Sequence, residues 1–192
     1  MNEMIRQPLS IFPNRLIGMI VFVTAVLLGL GWVVVTRVEP RVADHGELAE
    51  AAVPGYRAPD FALPSTSGET VALHAENRPV VLNFWATWCA PCRAEMPAFQ
   101  RISQRYGDQI AVIGVNQRET PARVTSFALE VGTTYPLLLD EDGAVNGTYR
   151  IRALPTTVFI DADGVVQEVF SGILTEGALQ EKIERHLLGV AD

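Results

Sequence analysis

The chain has 192 residues, 48% of them hydrophobic, with 22 acidic against 15 basic side chains and a net charge of −7. That length fits one domain plus accessory segments, and an acidic chain with no basic stripe argues against nucleic-acid binding. There are two cysteines, while His45, His74 and His186 stand singly without H-x-H or H-x-x-H spacing, which argues against a zinc site.

In chain order, residues 1–15 form a short N-terminal stretch carrying Arg6 and Arg15. Leu16 to Val35 follow without a charge and with one polar side chain, Thr24. As a helix, such a run spans roughly 30 Å, the hydrocarbon thickness of a bilayer. A cleaved signal peptide would have a shorter apolar region of about 7–15 residues and a small-residue site close behind it. The nearest A-x-A, Ala49-Glu50-Ala51, lies well beyond the apolar end. The expectation is a retained transmembrane anchor over 16–36. Arg6 and Arg15 before it balance Arg37 and Arg41 after it, so charge alone leaves the orientation open. A C-x-x-C pair on a tethered domain is most useful where protein disulfides persist, which favours a cytoplasmic N-terminus and an extracytoplasmic C-terminal domain in the inner membrane. Without Glu3, Arg6 and Arg15, the part after the span carries a net charge of −8. Residues 37–56, charged, Ala-rich and bracketed by Pro40 and Pro54, read as a tether.

The folded domain is expected over 57–192. Residues 60–63 and 69–73 flank Ser67-Gly68 and predict an N-terminal β-hairpin. Residues 79–85 predict a buried strand, 90–106 a helix and 110–115 a second buried strand. A helix over 121–131, a strand over 136–140 and a helical segment near 143–149 follow. Residues 156–161 and 165–170 alternate around Asp163-Gly164, a two-residue hairpin signal. An amphipathic helix over about 175–188 closes the chain with Leu179, Ile183 and Leu187 on one face. A βαβ unit followed by ββα predicts an α/β fold, with a mixed sheet flanked by helices.

The chemistry concentrates in residues 81–97, VLNFWATWCAPCRAEMP. The apolar run ends at Trp85, and Cys89 and Cys92 then fall where a helix begins. Two sulfurs so spaced can form a disulfide. The unpaired N–H groups and partial positive charge of a helix N-terminus stabilise a thiolate, so Cys89 is expected to be the accessible nucleophile of the pair. A disulfide closing so short a loop removes little chain entropy and would be a poor structural staple. Redox chemistry is the favoured reading. Trp88, next to the nucleophile, reads as a partly exposed contact surface. Glu95 lies one helical turn after Cys92, roughly on its face. It reads either as a group that tunes the thiols or as an exposed glutamate paired with Arg93 or Arg101.

With WCAPC opening a helix, Pro97 inside it and Leu154-Pro155-Thr156-Thr157 before a strand, the chain resembles membrane-anchored thioredoxin-like proteins of the ResA/TlpA/CcmG (DsbE) type over roughly residues 57–188. The 39-residue step from Asn116 to Pro155 resembles the central αβ insertion of that subfamily. The resemblance implies a thioredoxin-like fold and a cis Leu154–Pro155 bond beside the sulfurs, with Trp88, Leu154 and Pro155 binding substrate. It also implies that Glu95 is an active-site glutamate that shuttles a proton for Cys92. Asn83 stands where plain thioredoxins carry a buried aspartate, so that proton-carrying role is absent at this position.

By the same resemblance, Cys89 and Cys92 reduce protein disulfides without metal or cofactor. The partners implied are apocytochrome c or its chaperone as substrate, and a transmembrane thiol carrier of the CcdA/DsbD kind as electron donor. Reduction or copper binding in oxidase copper-site assembly is an alternative. A peroxiredoxin-like peroxidase is another, suggested by Pro59-Asp60-Phe61.

Overall fold

A computed structural model describes residues 19–20, 22–26 and 49–189. The chain divides into two units, 1–47 and 48–192. In the first, residues 19–20 and 22–26 are helical, and the Thr24 hydroxyl donates to the Ile20 carbonyl at 2.9 Å. Among the described residues no helix is long and apolar enough to cross a membrane. The expected anchor over 16–36 lies for the most part outside the described residues, as do residues 1–15 and 37–48.

The second unit is organised by β3, Val80–Trp85, whose six residues are all buried. Parallel β4, Ala111–Gln117, lies on one side of it and antiparallel β6, Thr156–Ile160, on the other. Strands β5, Leu137–Asp140, and β7, Val166–Ser171, extend the sheet to the order β5-β4-β3-β6-β7. Side chains alternate between the two faces of this sheet. Val81 and Trp85 pack with Val112, Leu139 and Phe159, under α1 (Ala90–Tyr106), α2 (Pro121–Val131) and α4 (Glu176–His186). Val80, Leu82 and Phe84 pack with Ile113, Val115 and Val158 on the other face, under α3 (Ala144–Thr148) and the hairpin of β1 (Ala62–Pro64) and β2 (Thr70–Ala72). A mixed sheet flanked by helices is what the pattern predicted. The second face differs in being closed largely by the hairpin, which meets β5 through a Ser65–Leu138 bridge.

Local chemistry accounts for the boundaries. Pro91 and Pro121 sit in the first turns of α1 and α2, where a missing N–H costs nothing. Gly132 ends α2 in the left-handed region. The hairpin between β6 and β7 forms as predicted, but its loop has three residues rather than two. Gly164 N–H donates to the Asp161 carbonyl at 3.0 Å, and Asp161 N–H to that of Val165 at 3.0 Å. The positive φ of 77° at Gly164 is what closes this longer loop.

Residues 49–56, read as the end of the tether, are hydrogen-bonded to the domain. Gly55 N–H donates to the Val166 carbonyl at 2.8 Å, and Val166 N–H to that of Tyr56 at 2.9 Å. Strand β7 is a sheet edge with free backbone groups at its start, and this segment satisfies them.

Gly114 in β4 shows how close the packing is around Trp85. A Cβ there would lie 2.7 Å from Leu137 Cδ2 and 3.0 Å from the Trp85 indole nitrogen. Gly114→Ala is expected to destabilise the domain by about 1–3 kcal/mol through overpacking, measured as a lower urea midpoint with an unchanged slope.

Candidate active site

Strand β3 delivers the chain to Ala86, and one turn later Cys89 caps α1. The Cys89 N–H donates to the Ala86 carbonyl at 3.2 Å, and the Cys92 N–H donates to Cys89 Sγ at 3.2 Å. The first sulfur therefore takes the place of a capping oxygen at the positive end of a 17-residue helix. Cys89 and Cys92 are joined as a disulfide, their Cα atoms 5.3 Å apart. The expectation of an accessible Cys89 is only partly met: it is 5% exposed and Cys92 fully buried. In the bonded state the sulfurs occupy each other, and what exposure remains belongs to the first. Trp88 stands out from the surface beside them, 64% exposed.

Glu95 is buried, 1% exposed, which overturns the reading as a surface glutamate paired with Arg93 or Arg101. Arg93 pairs instead with Glu130 and covers the Phe127 ring, and Arg101 pairs with Glu176. One Glu95 oxygen accepts from Asn83 Nδ2 at 2.9 Å, the other from the Leu174 N–H at 2.9 Å. Burial pushes the carboxyl up to about 7, although both hydrogen bonds pull the other way. Asn83 also donates to Thr157 Oγ1 at 3.2 Å. It cannot titrate, yet it is the residue that fixes the carboxyl that can. The Tyr135 hydroxyl, also buried, has no partner among the described residues. Burial first, and the nearby Glu95 charge second, hold it un-ionised.

A second buried carboxylate, not singled out from the sequence, supports the approach to Cys89. Glu119, just beyond β4, accepts from the Thr87 N–H at 2.6 Å, the Thr87 hydroxyl at 2.5 Å and Asn116 Nδ2 at 2.9 Å, and pairs with Arg123 at 2.8 Å. Burial raises its carboxyl. The Thr87 and Asn116 hydrogen bonds and the Arg123 charge outweigh that, and the net direction is below the ordinary value. The available signal was topological, an acid at the C-terminal end of the strand paired with β3.

The Leu154–Pro155 bond is cis. Leu154 is half-buried and packs on the cluster that contains both cysteines, and the Pro155 carbonyl accepts from the Gly172 N–H at 2.9 Å. The fold thus gathers Trp88, Cys89, Cys92, Glu95, Leu154 and Pro155 at one end of the sheet. His74 contacts Asp60 and the Ala58 carbonyl, and His186 contacts Glu168, while His45 lies outside the described residues.

Residues 54–169 match the AhpC/TSA family. The chain is 40% identical over 134 residues to the thioredoxin-like protein YneN of Bacillus subtilis, covering 68% of this chain and 78% of that one. It is 36% identical over 166 residues to the thiol-disulfide oxidoreductase ResA of Oceanobacillus iheyensis, covering 83% and 85%. Among solved structures, one from Chlorobium tepidum described as a thiol:disulfide interchange protein DsbE superposes with a TM-score of 0.65 at 30% identity, covering 69% of this chain and 96% of that one.

A carboxyl whose folded pKa lies above its unfolded value contributes stability that is complete below the unfolded pKa and lost as pH rises through the folded one. For Glu95 that window runs from the ordinary carboxyl value of 4.5 to about 7. The oxidised protein is expected to lose stability to urea across this interval, and Glu95→Gln to flatten that loss. An equally steep decline in the variant would assign it to other groups.

Proposed function

This chain belongs to the AhpC/TSA family, carries a thioredoxin-like domain and is a thiol-disulfide oxidoreductase, and from that premise we propose that it reduces protein disulfides outside the cytoplasm, with apocytochrome c or its chaperone as substrate. The observation that carries the reading is the cysteine pair at the N-terminus of α1, with the buried carboxyl of Glu95 one turn further along.

The cycle starts from the dithiol. The Cys89 thiolate attacks one sulfur of the substrate disulfide, and the other leaves as a thiolate that takes up a proton. Cys92 then loses its proton and attacks Cys89 Sγ. The second substrate thiol is released and protonated, and the Cys89–Cys92 disulfide remains. Two electrons pass from the cysteine pair to the substrate, with one proton from Cys92 and one from the solvent that took the Cys89 proton. A carboxyl with a pKa of about 7 can hold the Cys92 proton during resolution. Exposed Trp88 offers an apolar contact beside the attacked bond. The Leu154 backbone, which makes no hydrogen bond among the described residues, is open to pair with an extended substrate segment.

The uncharged run from Leu16 to Val35 supports an anchored position, with the domain on the outer face of the membrane. There a transmembrane thiol carrier of the CcdA/DsbD kind would re-reduce the pair. A peroxidase reading draws on Pro59-Asp60-Phe61, but this segment has structural work in the domain. The Pro59 carbonyl accepts from the Tyr149 hydroxyl at 2.7 Å, Asp60 accepts from the His74 N–H at 3.1 Å, and the Phe61 ring meets that of Tyr149 at 6.0 Å.

Cys92→Ser is expected to accumulate a mixed disulfide through Cys89, and Cys89→Ser none; the reverse pattern would refute the assigned roles. Deleting the gene should abolish covalent c-type haem staining, whereas normal haem with a copper-deficient oxidase would favour the copper-site substrate. The equilibrium potential against glutathione should lie well below the roughly −120 mV of a strong periplasmic oxidant.

Full-length protein is expected to stay in the membrane pellet after carbonate extraction and to be digested beyond about residue 37 in spheroplasts, the end of the span by bilayer-length arithmetic. A processed soluble form from intact cells would mean that the apolar run is a signal peptide.

A further inference from the structure

The end of the sheet that carries the cysteines also carries a group of arginines without counter-ions. Trp85, which leads β3 into the cysteine loop, pairs with Asn116, and β4 ends one residue later at Gln117. Arg118 follows directly, while Arg150 and Arg152 lie in the segment that runs into Leu154–Pro155. Arg118, Arg150 and Arg152 line one open cleft of about 240 Å³, together with Gly143, Asn146 and Ile151. All three are exposed, and none of their guanidinium groups has an ion pair or hydrogen bond among the described residues. By contrast, Arg78, Arg93, Arg101, Arg105, Arg123 and Arg185 each pair with a carboxylate.

Of the nearby acids, Asp140, Asp142 and Glu119 bond elsewhere, and exposed Glu141 forms no ion pair with these arginines among the described residues. Both oxygens of buried Asp140 accept from Val145 and Asn146, Asp142 accepts from the Ala144 N–H, and Glu119 holds Thr87, Asn116 and Arg123. Arg150 also borders a second cleft that contains Glu50, with which it makes no ion pair.

The backbone makes this placement notable. Arg118 and Arg150 have φ of 56° and 53°, the two non-glycine residues with positive φ among those described. A long L side chain is costly there and glycine is not. A Cβ at Gly143 would overlap the Arg118 guanidinium, so the glycine makes room for that side chain to lie across it. Strain at two positions of one cleft, both with arginine and neither neutralised, points to what the side chains meet.

We propose that this cleft docks a carboxylate-rich segment of the polypeptide whose disulfide Cys89 attacks. The proposal rests on the reading of this chain as a protein-disulfide reductase and adds the chemistry that selects its substrate. The guanidinium fork matches carboxylate geometry, and three forks around a cleft can hold an extended acidic stretch. Because the domain as a whole is acidic, such a stretch is repelled over most of the surface and attracted here. That fixes its register beside Leu154 and the disulfide, and such complementarity acts on encounter and orientation more than on affinity.

The test uses the full-length protein in neutral detergent, with two peptides of equal length that each contain a C-x-x-C disulfide, one flanked by Asp and Glu, the other by Lys. At low salt kcat/KM is expected to favour the acidic peptide by about tenfold, with the gap closing as salt screens it. Changing all three arginines to Gln should bring the ratio to about one. Changing all three to Glu should invert it, with the urea midpoint confirming that each variant is folded. Equal rates in the unsubstituted protein, or a preference that survives the Gln substitutions, would overturn the proposal. Serine versions of the peptides measure docking without chemistry. Acidic-selective binding lost in the Gln variant, with no reduction of either disulfide peptide, would uphold the docking site and refute the reductase reading alone. Binding of glycerol phosphate at the cleft without selectivity for the acidic peptide would assign the site to a lipid headgroup and overturn the proposal.

Discussion

Strand β3 is the constraint on which the rest of the domain depends. It is buried on both faces, so five of its six residues are apolar and its backbone is paired on both edges. Parallel sheets with both faces covered require such runs. Its direction sets where the chain emerges, and its last residue, Trp85, is locked between Gly114 and Phe127 before the cysteine turn begins. The first sulfur meets the helix N-terminus because a rigid strand ends four residues earlier. The single polar residue of the strand, Asn83, then dictates the chemistry beneath the sulfurs. A buried amide must be hydrogen-bonded, since burying it without a partner costs on the order of 1–3 kcal/mol. Asn83 meets that demand on its donor side, where Nδ2 bonds Glu95 and Thr157, while its Oδ1 has no hydrogen-bond partner among the described residues.

Much of this architecture was legible in the sequence because it is governed by local signals. The bounds of α1 and α2 follow from Pro91 and Pro121 at their starts and the glycines at their ends. The buried strands follow from uninterrupted apolar runs of the right length. The AhpC/TSA match and the ResA relatives agree with the resemblance drawn from WCAPC, Pro97 and Leu154-Pro155.

What was illegible depends on contacts between distant residues. Spacing placed Glu95 on the side of Cys92 but could not decide between core and solvent. The decision comes from Asn83, 12 residues away, and from Leu174, 79 residues away. Asn83 alone looked like a lost proton carrier, and only the fold reveals it as the partner of a relocated carboxyl. Glu119 has Asn116 and Arg123 within four residues, but its role depends on Thr87, which is 32 residues distant. Residues 49–56 look like linker by composition, and their pairing depends on where the edge of β7 lies.

The two buried carboxylates show how one site can hold opposite protonation demands. Glu119 accepts three hydrogen bonds and is ion-paired with Arg123, and together these outweigh its desolvation. It remains an anion and clamps the turn that leads to Cys89. Glu95 accepts from two neutral donors, and desolvation wins. It therefore changes charge near neutral pH, where a thiol must also be deprotonated for resolution. Removing Arg123 would tilt Glu119 toward the behaviour of Glu95, and adding a cation beside Glu95 would do the reverse. What separates anchor from proton holder is thus both depth, greater for Glu95, and the number and charge of the groups around each carboxylate. Two glutamates of the same chemistry receive different tasks because Glu119 lies less deep and accepts more hydrogen bonds, with the Arg123 charge as a smaller contribution.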